Sequence, residues 1–321
     1  AELALDAVRR DRSLSMKGKV SSRGGVFMKI PYSTMNATFA LREGRLTVTS
    51  FDLDALRGSM KATAAYDLKT RAWSARPVFS GIEAGEILDV ITPFKGVFTG
   101  SLNGDLALGA VTGAPVMNTL SAKGRLSVGK GQWKNFDLAG HVLGKVLGVP
   151  GASMLFGLAP AEIQRYESTR FDAMETEIDI EKRLVTIDTM KMLNISSGRD
   201  TDTESYLKGS VSLDTEALDL RGTVVLPRRF SQRIASRADV FSAVMNDSGR
   251  IVLPLRIGGT LKRPVPMVEI ASLGSSIARY SAARALDRGV ERLREKGKLP
   301  PATDESRKAI EQTIEGLFRR K

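Results

Sequence analysis

Few residues in this chain of 321 are equipped to do chemistry. Cysteine is absent, which removes thiolate nucleophiles, thiolate metal ligands and any disulfide framework. His141 is the only histidine and lies in an apolar stretch at helical spacing. It reads as a packed or partly exposed ring and not as a general base. Asp200, Asp202 and Glu204 are spaced so that they suggest a cation loop. An EF-hand needs D-x-D-x-D-G followed by Glu at the twelfth position, and this segment lacks that spacing, so a solvated loop between strands is expected. Gly124-Arg-Leu-Ser-Val-Gly129-Lys130 nearly spells a phosphate-binding P-loop. Gly131 stands where a Ser or Thr must hold magnesium, and Leu126 and Val128 alternate as in a strand, so a turn at Gly129-Lys130-Gly131 is expected. Neither a G-x-S-x-G elbow nor an H-E-x-x-H helix occurs. The expectation is a protein that is not an enzyme and holds no metal or cofactor.

The formal net charge is +12. Such a charge fits nucleic acid or an anionic membrane surface. No RNP-like aromatic motif, zinc finger or recognition helix is present, so nucleic acid is not an expected partner. No apolar run approaches the roughly 20 residues that span a bilayer. The chain opens on Ala1 inside what reads as running sequence, and a preceding portion carrying an anchor is expected.

The elements that would position any site are strands. From Arg170 to Leu226 apolar and polar residues alternate, the period of a sheet with one dry face and one wet face. Tyr32–Leu41 repeats the pattern of Phe171–Ile180 at an offset of 139 (171 − 32; 180 − 41), and the offset continues through Val48 and Ile187 and through Phe51 and Met190. A repeated strand unit points to an extended sheet built by stacking. The expected fold is mainly β with some α: a long, curved antiparallel sheet forming an apolar groove, with short helical inserts and an amphipathic helical C-terminal tail.

Three regions are expected. Residues 1–12 read as a short helix. Residues 13–270 read as the β-groove, with helical inserts near 81–92, 137–165 and 228–246, a hairpin turning at Gly24-Gly25, and Pro254 marking an edge position. Residues 271–321 read as a basic amphipathic helical tail.

Leu120-Ser-Ala-Lys-Gly124-Arg-Leu-Ser-Val-Gly-Lys-Gly131-Gln-Trp-Lys-Asn-Phe-Asp137-Leu138 resembles a signature of the AsmA family. In that family a G-x-L-x-V strand meets a turn glycine and an Asp-Leu opens a helical insert. A T-x-F-D element comes next, matched by Thr169-Arg-Phe171-Asp172, and the closing strand resembles Leu253-Pro254-Leu255-Arg-Ile257-Gly-Gly259. The resemblance covers roughly Tyr32 to Arg320. It implies kinship with bridge-like lipid transfer proteins, and a periplasmic protein that carries phospholipid between inner and outer membranes and supports outer-membrane biogenesis. An inner-membrane tether outside this chain is also implied, with this chain as the C-terminal part of a longer conduit.

Alternation assigns the groove lining to Phe39, Leu41, Val48, Met60, Leu106, Leu126, Val128, Met174, Ile178, Ile180, Ile187, Val211, Leu213, Leu253 and Leu255. Such a lining would hold acyl chains without polar specificity, each buried methylene contributing about 0.8 kcal/mol. Arg284, Arg288, Arg292, Arg319 and Arg320 are the candidates for contact with a membrane surface or an envelope protein partner. The same alternation would also build a closed core, so a structural or assembly factor of the envelope that carries no lipid stands as the alternative. A β-bulge would invert the inward assignment of every residue beyond it.

Overall fold

The computed structural model describes residues 1–10, 13–91, 95–113, 115–147, 168–197, 200–236 and 245–268. The expected helical tail, with its five arginines, lies outside the described residues, as do parts of the inserts at 137–165 and 228–246.

Fourteen antiparallel strands form one curved, unclosed sheet in which every strand pairs with its neighbours in sequence. The first seven are β1 (Glu2–Arg10), β2 (Ser13–Phe27), β3 (Ile30–Arg42), β4 (Arg45–Ala55), β5 (Gly58–Asp67), β6 (Ala72–Glu83) and β7 (Phe98–Val111). The others are β8 (Ser121–Lys134), β9 (Ser168–Glu181), β10 (Leu184–Ser197), β11 (Asp200–Ser212), β12 (Leu218–Val225), β13 (Val252–Thr260) and β14 (Arg263–Val268). Among the described residues, short helices interrupt them at α1 (Ala84–Ile91), α2 (Val116–Thr119), α3 (Leu138–Leu147) and α4 (Arg228–Ala235). Such a meander needs only tight turns. Glu43-Gly44, Leu56-Arg57 and Lys182-Arg183 each carry positive φ at both central residues, the geometry whose twist matches that of the flanking strands.

The repeat seen in the sequence extends further in three dimensions. Phe39 pairs with Val48 and Ile178 with Ile187, and in each hairpin one residue, Thr49 or Asp188, bulges out next to that pair. These positions keep the offset of 139. In the next hairpins Ala64 pairs with Ala75 and Gly209 with Leu220, at an offset of 145. Beyond them, Ala75 pairs with Leu108 and Leu220 with Ile257. Helix α1 lies between β6 and β7 as α4 lies between β12 and β13. Even the end contacts match: Leu68 N donates to Gly44 O and Leu213 N to Arg183 O, while Thr112 N donates to Arg71 O and Leu261 N to Glu216 O. The chain thus contains a four-strand, helix, strand unit used twice, with α2, β8 and α3 between the copies and β1, β2 and β14 outside them.

Several expectations change. In place of the helix expected over residues 1–12, Glu2–Arg10 is a strand paired along its length with β2. Leu and Ala favour helix in isolation, yet Leu3, Leu5 and Ala7 also alternate, and the ladder with β2 decides. Gly24-Gly25 lies inside β2, and the turn falls at Met28-Lys29. Gly129-Lys130-Gly131 is not a turn but a bulge inside β8, with Lys130 at φ 42°. The bulge restores phase, since Val128, Gly131 and Trp133 are all buried. Asp200, Asp202 and Glu204 belong to β11 and not to a loop. Pro254 pairs with Thr223 one residue beyond the last β13–β14 pair, Leu255 with Val268, so β13 has a single described neighbour there.

The C-terminal half curls back toward itself without closing. Trp133 Nε1, near the end of β8, donates to Leu261 O beyond β13 at 3.3 Å. In a flat sheet five strand steps would separate them by about 24 Å. The sheet must therefore curl, bringing the end of β13 back to the end of β8. Trp133 is fully buried against Phe98 and Phe136, at ring-centroid distances of 5.1 and 4.6 Å. Helix α3 packs on β9, β10 and β14 inside this curl. Its start is fixed by Asp137 Oδ1, which accepts from Gly140 N, and by the buried Thr169 Oγ1, which accepts from Leu138 N and donates to Phe136 O. The Asp137-Leu138 and Thr169-Arg-Phe171 segments therefore seat α3 on the sheet.

Trp133→Ala should cost about 3–5 kcal/mol of unfolding free energy, because it empties the centre of the curl. Chemical denaturation read by far-UV circular dichroism measures this, and a loss below about 1 kcal/mol would mean that the curl does not depend on it.

Candidate functional site

Registers across neighbouring pairs place one residue per strand in a continuous row. Leu5 pairs with Gly18, Gly18 with Phe39, Phe39 with Val48, Val48 with Ala64, and Ala64 with Ala75. The row goes on through Leu108, Ala122, Ile180, Val185, Val211 and Leu218. All twelve positions are apolar or glycine. A second row on the same face runs from Met35 through Leu53, Met60, Phe79, Gly104, Leu126, Thr176, Met190, Leu207 and Gly222 to Leu255. The glycines allow close strand approach: a Cβ on Gly104 would lie 2.1 Å from Arg125 O, and one on Gly222 1.8 Å from Tyr206 O.

The opposite face is wet. Lys61 and Asp52, Lys123 and Asp179, and Arg125 and Glu177 form ion pairs between directly opposed residues. All are exposed, and each is worth less than about 1 kcal/mol. A shallow depression of about 510 Å³ near β1–β4 is lined by Leu5, Gly18 and Phe39 of the twelve-residue row together with Ala4, Asp6, Lys17, Lys19 and Thr38 of the wet face.

The apolar face changes character along the sheet. Of the residues singled out in the sequence, Val128, Met174, Ile187, Val211, Leu253 and Leu255 are buried in the main core. Phe39, Leu41, Val48, Met60, Leu106, Leu126, Ile178, Ile180 and Leu213 are partly exposed. In the twelve-residue row Leu5 is 53% and Leu218 6% exposed, and between them Gly18 and Ala122 are buried while Phe39, Val48, Ile180 and Val185 are partly exposed. Sequence reading misses Gly18, Ala64, Ala75 and Ala122, because small residues carry little alternation signal. It misses Leu5 because residues 1–12 read as a helix.

Two unpartnered hydroxyls interrupt the face. Thr176 Oγ1 and Ser205 Oγ are buried with no hydrogen-bond partner among the described residues. Otherwise the inward side chains of both rows offer no donor, acceptor or charge that could orient a polar ligand. The arrangement can hold apolar matter without direction. His141, by contrast, is exposed on α3, and its Nδ1 lies 2.6 Å from Asp137 O.

The most elaborate polar cluster fastens the chain. Arg250 is 8% exposed and reaches four acceptors: Glu204 Oε1 at 2.5 Å, Leu226 O at 3.0 Å, Val225 O at 3.4 Å and Asp202 O. Tyr206 Oη donates to the other oxygen of Glu204 at 2.6 Å. Burial works to raise the Glu204 pKa, but the Tyr206 hydroxyl and the Arg250 guanidinium outweigh it and hold it below its ordinary 4.5. The same hydrogen bond to Glu204, helped by burial, pushes the Tyr206 hydroxyl up to about 12. The cluster pins the turn before β13 to β11 and β12.

No protein-family model matches this chain, and neither a curated protein nor a solved structure matches it.

A carboxylate held below its ordinary value stabilises the fold above that value and loses the effect as pH falls through the folded pKa. Glu204→Gln should therefore lower stability at pH 7 by about 1–3 kcal/mol, and the gap to wild type should close as pH drops below 4.5. Thermal melts from pH 7 to pH 3 measure it, and a gap independent of pH would overturn this account of Glu204. In the other direction, Ser205→Ala should stabilise by about 1 kcal/mol, because it removes an unpaired buried hydroxyl, and an unchanged or lower melting midpoint would count against that.

Proposed function

We propose that the apolar face binds the acyl chains of phospholipid and that the protein carries such lipid within the cell envelope, between inner and outer membranes, without any chemical step. The observation that carries this reading is the unbroken apolar row from Leu5 to Leu218, which stays partly open toward the N-terminal strands. A face of that kind is costly to leave in water and is satisfied by hydrocarbon. The resemblance to the AsmA family supports the same reading and adds the periplasm and outer-membrane biogenesis as its setting. Acyl chains would lie over β1–β7 and the middle of the row, because β8–β14 fill their concave side with Trp133, α3 and their own side chains.

That filled half favours a second reading. A sheet that supplies its own core could serve as a structural or assembly factor of the envelope, with a protein partner and no lipid.

Native mass spectrometry with lipid extraction on the purified chain separates the two. Under the first reading phospholipid co-purifies in near-stoichiometric or greater amount. Phe39→Asp or Val48→Asp then lowers it about tenfold, because a charge is placed among acyl chains, while Thr63→Asp on the wet face leaves it unchanged. A well-folded, lipid-free protein would sink the lipid-carrying reading and leave the assembly role.

A further inference from the structure

The tip of the β2–β3 hairpin is built unlike a solvent-facing turn. Hairpin turns of this geometry favour Asn and Gly, which tolerate positive φ. Here the two central residues are Met28 and Lys29, at φ 49° and 71°, although Gly24-Gly25 stands only a few residues upstream in β2.

The tip is supported on one side and bare on the other. Phe27 packs on Phe51 at 5.4 Å and Ile30 is buried, both within a small core with Leu53 and Ala55. Val26 and Met28 are each 70% exposed, the highest values among the exposed large apolar side chains of the described residues, and Pro31, paired with Val26, is exposed as well. The charged side chains of the tip and of the next turn are all basic, and the acids Glu86 and Asp89 stand on α1, whose Val90 packs on the same small core. Arg23 and Lys29 on the hairpin and Arg57 on the next turn are exposed and make no ion pair among the described residues. Neither the 22–31 segment nor the 55–58 turn contains an acidic residue. Asp54, just behind that turn, accepts from Thr34 Oγ1, which lies farther down the hairpin from the tip.

We infer that this tip docks the protein onto an anionic phospholipid bilayer, with Val26 and Met28 entering the headgroup–acyl boundary and Arg23, Lys29 and Arg57 meeting the lipid phosphates. Two apolar side chains on a packed support, flanked by unpaired cations, match the depth and charge order of a bilayer surface. Exposed apolar tips without those cations would fit many partners, and it is the basic charge carried by the tip and the next turn that selects this one. The inference does not rest on lipid lying along the apolar face. A protein with a dry face could dock in the same way.

The test uses the full chain with vesicles of phosphatidylcholine, with and without phosphatidylglycerol. Wild type should sediment with the phosphatidylglycerol vesicles, and added salt should weaken this. The double change Val26→Asp with Met28→Asp should lower the bound fraction about tenfold. Both residues are solvent-exposed, so the melting midpoint should hold. Charge reversal at Arg23, Lys29 and Arg57 should remove the preference for phosphatidylglycerol. Met28→Trp should add an indole emission, above that of Trp73 and Trp133, that shifts to the blue on these vesicles and is quenched by brominated acyl chains. An unchanged bound fraction in the double variant, or an added emission that does not respond to vesicles, overturns the inference even if other parts of the chain bind membrane. A wild-type chain that sediments with neither vesicle also overturns it and leaves a protein surface as the partner of the tip.

Discussion

A single constraint governs this molecule: one face of a fourteen-strand sheet is dry, and the dry face must stay in phase from strand to strand. Side chains alternate with period two, so a slip of one residue sends the whole remainder of a strand to the wrong side. The chain corrects its phase with single-residue bulges. Thr49 and Asp188 step outward in equivalent hairpins, so that Val48 and Phe51, and Ile187 and Met190, face the same way. Lys130 does this in β8, delivering Trp133 to the centre of the core. The bulges are therefore what makes the apolar rows continuous, and they recur because the unit that contains them recurs.

How the dry face is covered differs between the two halves. In the C-terminal half the sheet curls until the end of β8 meets the far end of β13, and α3 fills the space enclosed. Residues such as Met192, Ile195, Leu220 and Ile257 are completely withdrawn from water. The N-terminal half has the same strand unit but adds a smaller core around Ile30, Leu53 and Ala55, and while Phe79, Ile82 and Leu102 join the main core, Phe39, Val48, Ala64 and Ala75 of its rows keep partial exposure. Two copies of one unit thus reach different ends. The difference traces to the segment after β8, where Asp137, Thr169 and Phe171 seat a helix against the second copy.

Polar interactions play a narrower part. The ion pairs of the wet face join directly opposed strands but are exposed, so they guide register more than they add stability. Arg250 is the exception, because it is buried and bonded to Glu204 and three carbonyl oxygens. Taking away its partner would leave a buried charge, which costs far more than the pair gains.

By itself the sequence determined a great deal. Alternation from Arg170 to Leu226 showed a one-sided sheet, and the repeat at an offset of 139 located equivalent hairpins whose bulges and turns coincide in space. The Gly81–Ile91 segment holds its helix, at Ala84–Ile91, because its apolar period is helical and Pro93 comes just after its end. Turn chemistry misleads wherever glycine alone decides the reading. Gly24-Gly25 and Gly129-Lys130-Gly131 both lie within strands, because glycine serves a close approach or a bulge as readily as a turn. The strand at Glu2–Arg10 is hidden by helix-favouring Leu and Ala, since only the partner strand β2 makes extended backbone the better choice there. What only the tertiary structure decided is which inward residues are dry. Phe39 and Val211 carry the same signature in the sequence, yet one is partly open and the other closed. Val211 is buried because it belongs to the main core, where distant segments of the curled sheet meet, and a local period of two cannot encode such contacts.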